Sequence, residues 1–162
     1  MLSAIGCSGK IEGSFSVVLP GFSEAELAYS DGFDSAEQGL YAEAISHYDK
    51  AIQLDPDYAD AYNKRGIAYR NLGQYQRAIQ DYDKAIELDP DYAAAYNNRG
   101  VSYGDLGQYQ RAISDYTMAI QIGGSNDAMA YNNRGIAYRR LGHDTLANAD
   151  ETRACSLDSQ YC

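Results

Sequence analysis

Tryptophan is absent and phenylalanine occurs only 3 times, yet tyrosine occurs 16 times in 162 residues. Cations are scarce as well: 13 Lys and Arg stand against 23 Asp and Glu, a net charge of −10. Neutralising a phosphate backbone needs clustered cations, so this balance argues against nucleic acid as a partner. No long apolar run occurs, which leaves no candidate transmembrane helix. Nor is there a glycine-rich phosphate loop between a strand and a helix, or a nucleophile elbow. The 2 histidines, His47 and His143, have no metal-ligand spacing and read as structural. No metal, cofactor or enzymatic activity is therefore expected. What remains is a chain that is 45% apolar and long enough for one domain, with a skewed aromatic content.

Repetition explains the skew. Ala59 to Tyr92 aligns with Ala93 to Asn126 at an offset of 34, and both copies contain Gly-Gln-Tyr-Gln-Arg-Ala-Ile. The same offset backwards recovers Ala25 to Tyr58, and an offset of 35 forwards opens a fourth unit at Ala128. Every tyrosine except Tyr29 and Tyr161 then falls into one of five columns.

Each unit reads as two helices. Tyr96, Gly100 and Tyr103 recur at helical spacing on one face, and Leu106-Gly107 ends that helix with a left-handed stop. A second apolar stripe follows at Tyr109, Ala112, Ile113, Tyr116, Ala119 and Ile120. In the first two units Asp55-Pro56 and Asp89-Pro90 terminate it, because proline cannot continue a helix. Small residues such as Gly66, Ala78 and Ala85 let the helix axes approach closely, with tyrosines filling the space beside them.

These columns resemble the tetratricopeptide repeat over about residues 25–158. The resemblance implies an all-α, right-handed superhelical solenoid of antiparallel helix pairs, with about eight helices. The domain plan is a non-repeat segment 1–23, a repeat domain 24–158 and a tail 159–162. The repeats are 25–58, 59–92, 93–127 and 128–158. Departures from the pattern are Ala28 in the first aromatic column, Gly123-Gly124 in place of Asp-Pro, and a polar last helix with Asn148, Asp150 and Glu151. A polar last helix suits an end cap.

Arg65, Arg99 and Arg134 stand where the family usually has Leu, and Asp81, Asp115 and Asp150 follow each by 16 residues on the facing helix. An Arg–Asp bridge inside each unit is expected. In unit one the columns hold Asp31 and His47, in reversed charge order.

The family's inner surface is lined by the first helix of each unit, which implies a concave groove for a protein or peptide. The inward positions would be Asn63, Lys64, Ile67 and Arg70, then Asn97, Asn98, Val101 and Asp105. Unit four would add Asn132, Asn133, Ile136, Arg139 and Arg140. An Asn carries both a donor and an acceptor, so Asn98 and Asn133, with Lys64 in their column, would form a short backbone-capturing ladder. It looks like the asparagine ladder of a glycosyltransferase built on such repeats. Arg139 and Arg140 make one end of the groove cationic and suit a partner with an acidic segment. The carboxylate clamp of the family's co-chaperones does not transfer. One frame gives Tyr29, Phe33, Lys64, Ala94 and Asn98, and the next gives Asn63, Ile67, Asn98, Met129 and Asn133. The role implied is a non-catalytic binding scaffold. The alternative is a self-assembling or spacer module, using Tyr29 and Phe33 at an N-terminal end that lacks an obvious polar cap, unless residues 15–22 cover them.

Ser3-Ala4-Ile5-Gly6-Cys7 resembles the tail of a bacterial lipoprotein signal, with Cys7 as the lipidated residue and a tether running to Phe22. Met1 to Gly6 is shorter than the apolar region such a signal needs, so this reading places the true start upstream. Cys155 and Cys162 would form a disulfide in an oxidising compartment. Together these features favour an extracytoplasmic, membrane-anchored lipoprotein, with the cytoplasm as the alternative address.

Overall fold

The computed structural model describes residues 23–124 and 127–162. The lipidation position Cys7 and the candidate covering segment 15–22 lie outside them. Eight helices follow one another: α1 Glu24–Glu37, α2 Tyr41–Leu54, α3 Ala59–Asn71, α4 Tyr75–Leu88, α5 Ala93–Asp105, α6 Tyr109–Gly123, α7 Ala128–Arg140 and α8 Asp144–Leu157. A short 3₁₀ turn, Ser159–Tyr161, closes the chain. Each helix packs mainly on the one before it and the one after it, while the first helices of successive units touch only lightly. The result is an all-α solenoid of four hairpins.

Sequence sets the boundaries. The first helix of every unit stops at a glycine with positive φ, Gly39, Gly73, Gly107 and Gly142. After α2 and α4 the chain leaves through Asp55 and Asp89, each of which accepts a bond from the backbone N–H two residues on. Where Asp-Pro is missing, Gly124 ends α6 at a φ of 77°. Asp127 then caps α7 by accepting from the Ala130 N–H. At the start of α1, Ser23 and Glu26 form a reciprocal capping box.

One close approach holds each hairpin together. A Cβ on Gly66 would stand 2.7 Å from the Tyr82 ring, and one on Gly100 would stand 2.8 Å from the Tyr116 ring. Gly32 makes the same approach to Tyr48. In unit four the tyrosine is gone, and Gly135 faces the Glu151 side chain and the Ala147 carbonyl. The two alanine columns on the second helices, Ala44, Ala78, Ala112 and Ala147 with Ala51, Ala85, Ala119 and Ala154, are fully buried.

The Arg–Asp bridge is present and bidentate in units two to four. Arg65 donates to both oxygens of Asp81 at 2.6 and 2.8 Å. Arg99 does the same to Asp115, and Arg134 to Asp150. Each arginine also reaches back to the preceding unit: Arg65 to Asp49 and Arg99 to Asp83, both at 2.6 Å, and Arg134 to the Thr117 hydroxyl. The sequence reading missed this second link, although Asp49 and Asp83 recur in one column. The guanidiniums sit over neighbouring aromatic rings as well: Arg65 over Tyr62 and Tyr69, and Arg99 over Tyr96.

The N-terminal end differs from its expected form. Asp31 is exposed in the column from which Arg65 and Arg99 reach back, so it puts a charge on the outer face. Tyr29 turns inward and stacks on Tyr58 with ring centroids 5.0 Å apart. Phe33 remains partly exposed beneath the Lys64 ammonium, 5.2 Å from the ring centroid. No ion pair joins Asp31 and His47 among the described residues.

Candidate protein-binding groove

The face formed by α1, α3, α5 and α7 carries the residues expected to line a groove, but it does not present them all. Asn63 and Asn97 are buried. Asn63 donates to the Tyr92 hydroxyl at 3.1 Å and accepts from the Asn98 amide at 3.0 Å, while Tyr92 donates to Asp60. Asn97 accepts from the Asn133 amide at 3.2 Å. Asn63 and Asn97 are thus inter-unit links rather than groove-facing groups. The ladder residues Asn98 and Asn133 spend an N–H on these links and keep their amide oxygens uncommitted. Asn132 is half-buried, with no side-chain hydrogen bond among the described residues.

Charge on this face is largely paired. Arg70 donates to Asp105 across a unit boundary at 2.7 Å. Arg139, expected to offer a free cation, is held by Glu151 at 2.6 Å and by Asn148 at 2.9 Å, with Asp144 at 3.7 Å. The hydrogen bond to Glu151 raises its pKa further above the ordinary arginine value. Arg140 is exposed and makes no ion pair among the described residues. Lys64 lies over Phe33, so its charge stays at the rim.

Apolar residues run along the same face. Ile67 and Val101 are half-buried and Ile136 is 47% exposed, all in one repeat column. Beside them open two cavities. One, of about 200 Å³, lies between units one and two and is lined by Phe33, Ala36, Tyr41, Tyr48, Lys64 and Ile67 among others. The second, of about 230 Å³, lies between units three and four, with Val101, Gly104, Tyr116, Asn133, Ile136 and Arg140 in its wall. Tyr48 and Tyr116, floor residues of the two cavities, are buried, and burial pushes both phenols above the ordinary tyrosine range. The Tyr48 hydroxyl has no hydrogen-bond partner among the described residues. Sequence reasoning placed these tyrosines in the core and overlooked that they also reach the groove. The signal was in the column of Ala36, Arg70, Gly104 and Arg139, where two small residues alternate with two arginines.

Away from this face, the 3₁₀ turn brings Cys162 back onto α8, with its Cα 4.7 Å from that of Cys155. His143 precedes α8 and meets the Tyr138 ring edge-on. No cluster suited to a metal ion is found among the described residues, and no described helix is long and apolar enough to cross a membrane.

Comparison with known proteins returns the same architecture. A family model described as TPR repeat matches residues 36–73 and 66–107, and one described as Tetratricopeptide repeat matches residues 93–126. A crystal structure of MamA is similar with a TM-score of 0.78 and 29% identity, covering 84% of this chain and 79% of that one. The first TPR of Spaghetti (RPAP3), bound to the HSP90 peptide SRMEEVD, is similar with a TM-score of 0.71 and 28% identity, covering 74% and 94% of the two chains. The uncharacterized protein MJ0572 of Methanocaldococcus jannaschii is 36% identical over 50 residues, which is 31% of this chain. The chain spans 58% of the length of that curated relative.

Proposed function

The chain belongs to the tetratricopeptide repeat family, a protein-interaction scaffold, and on that premise we propose that it holds an extended segment of a partner protein along the face of α1, α3, α5 and α7. The role is binding, without a catalytic step. The observation that carries this reading is the column of Ile67, Val101 and Ile136, accessible between two cavities on a face whose other charges are mostly paired. These three side chains select apolar shape, and the uncommitted oxygens of Asn98 and Asn133 accept from a peptide backbone whatever its sequence. Arg140 supplies the cationic end that a partner with an acidic segment needs. The similar Spaghetti domain was solved with a peptide on it, which supports peptide capture by this shape. Its peptide ends in Glu-Val-Asp, but the clamp frames here place Ile67 and Met129 among the required positions. A free tail of that kind is therefore not the proposed ligand.

Selection from a random-sequence peptide display library tests the proposal. The protein should enrich peptides that bind it and fail to bind an Ile67→Asp/Ile136→Asp variant of unchanged helicity. Equal capture by the two would refute groove binding.

A further inference from the structure

Three junctions join the first helices of successive units, and the same two columns meet at each. At the middle junction Arg70 of α3 reaches Asp105 of α5 and fills the space between them. One unit earlier the positions hold Ala36 and Asn71, and both line the cavity of about 200 Å³. One unit later they hold Gly104 and Arg140, and both line the cavity of about 230 Å³. At that last junction the arginine side chain is missing, and a cation stands where the acid stood.

The groups around this second cavity are uncommitted in a consistent sense. Arg140 has no ion-pair partner among the described residues, and Asp105, the other charged group in the wall, is neutralised by Arg70. Tyr116 is only 4% exposed, yet its hydroxyl has no hydrogen-bond partner there. It would lie 3.8 Å from a Cβ on Gly104, facing the space the missing side chain leaves. Burial raises this phenol, so it remains a donor at neutral pH. Val101, Ile136 and Ala137 supply the apolar part of the wall, which Tyr109 and Asn133 complete. Apolar neighbours strengthen a charge-assisted bond by lowering the local polarity.

We propose that this cavity takes one acidic side chain, Asp or Glu, from the extended partner segment, its carboxylate accepting from Arg140 and Tyr116 in the space that Arg70 fills one unit earlier. The inference rests on the groove reading and adds one side-chain class at one address. Arg139, held by Glu151, lies outside the subsite.

The same display selection decides it. Peptides enriched by the wild-type protein should share an Asp or Glu at one aligned position. Synthetic copies with the corresponding amide should bind about tenfold more weakly. Tyr116→Phe should weaken the acidic peptide more than its amide copy, because the charged acceptor makes the stronger bond. Arg140→Glu should abolish the acid preference, and Arg139→Glu should retain it. Gly104→Arg/Arg140→Asp rebuilds the middle junction's pair inside the cavity, where a Cβ on Gly104 meets only the Tyr116 hydroxyl, at 3.8 Å. That variant should fold with wild-type helicity and show no acid preference. Peptides without a fixed acidic position, or an acid preference that survives Arg140→Glu, would overturn the subsite and leave the groove standing. Failure of the wild type to enrich peptides over Ile67→Asp/Ile136→Asp would overturn both.

Discussion

Replacing Arg99 with Leu removes one side chain and strands one carboxylate. Asp115 is 8% exposed and receives two charge-assisted bonds from Arg99, at 2.9 and 2.7 Å. Burial already pushes the Asp115 carboxyl above its usual range, opposed by the Arg99 guanidinium. Without the arginine, that burial is uncompensated. Breaking a buried pair in this way costs about 3–5 kcal/mol, and the 18% exposure of Arg99 places this site near about 3. The lost bond to Asp83, itself 53% exposed, adds about 0–1 kcal/mol. At about 2–4 °C per kcal/mol for a domain of this size, the total of about 3–4 kcal/mol should lower the melting temperature by about 6–16 °C. Asp115→Leu should cost less, because Arg99 keeps Asp83 and some solvent. Arg99→Leu/Asp115→Leu should recover most of the loss, since an apolar pair replaces a buried ionic one. The pH dependence has a definite sign. A carboxyl whose folded pKa is raised leaves the protein most stable below the unfolded value, near 4, and stability is lost as pH rises through the folded value. The deficit of Arg99→Leu should therefore be full at pH 7 and shrink as pH falls through that window. Urea unfolding followed by circular dichroism at several pH values measures all of this. A wild-type midpoint for Arg99→Leu, a pH-independent deficit, or a double variant as unstable as the sum of the singles would refute the reasoning.

Gly100→Ala should cost about 1–3 kcal/mol, because its Cβ meets the Tyr116 ring at 2.8 Å. Gly135→Ala should cost less than Gly100→Ala, since its Cβ meets no ring but the Glu151 side chain at 3.1 Å and the Ala147 carbonyl at 3.2 Å, and helix propensity offsets part of that strain; equal costs in urea unfolding would count against the ring-on-glycine account. Tyr29, pushed up to about 12 by burial first and then by Asp60 and Tyr58, should titrate well above the ordinary tyrosine value. Stability should be intact below the unfolded value near 10 and lost as pH rises through the folded one, read from tyrosinate absorbance; a single transition near 10 in folded protein would contradict this. A thiol assay on unreduced, denatured protein should find neither Cys155 nor Cys162 free, because Cys162 returns to Cys155; two reactive thiols beyond Cys7 would show the bridge absent.

The fold was legible because its determinants are local and copied. Glycine stops, Asp-Pro breaks and tyrosine columns act within one hairpin, so each repeat restated the evidence. The Arg–Asp bridge was legible for the same reason. Asn63 and Asn97 were misjudged because single-helix periodicity shows which face a residue shares with its neighbours, not what a preceding or following unit lays over it. Arg139 was misjudged on similar grounds, since its partners Glu151 and Asp144 sit on α8, whose sequence departs from the repeat. Tyr29 lies outside the tyrosine columns, so nothing in the pattern announced its stacking on Tyr58.

The arginine column makes one side chain responsible for two kinds of cohesion, within a hairpin and between hairpins. A linear array in which these are linked behaves as a chain of coupled units whose cooperativity depends on the junction terms. At the first two junctions the arginine reaches a carboxylate, whereas at the third Arg134 reaches only a neutral hydroxyl. Coupling is therefore uneven along the array. The last hairpin should fray ahead of the two middle ones, with amide exchange in α7 and α8 faster than in α3 to α6. The Gly104–Arg140 cavity spans this loosest junction, so a ligand bridging α5 and α7 would also tighten the joint and lengthen the cooperative block by one unit.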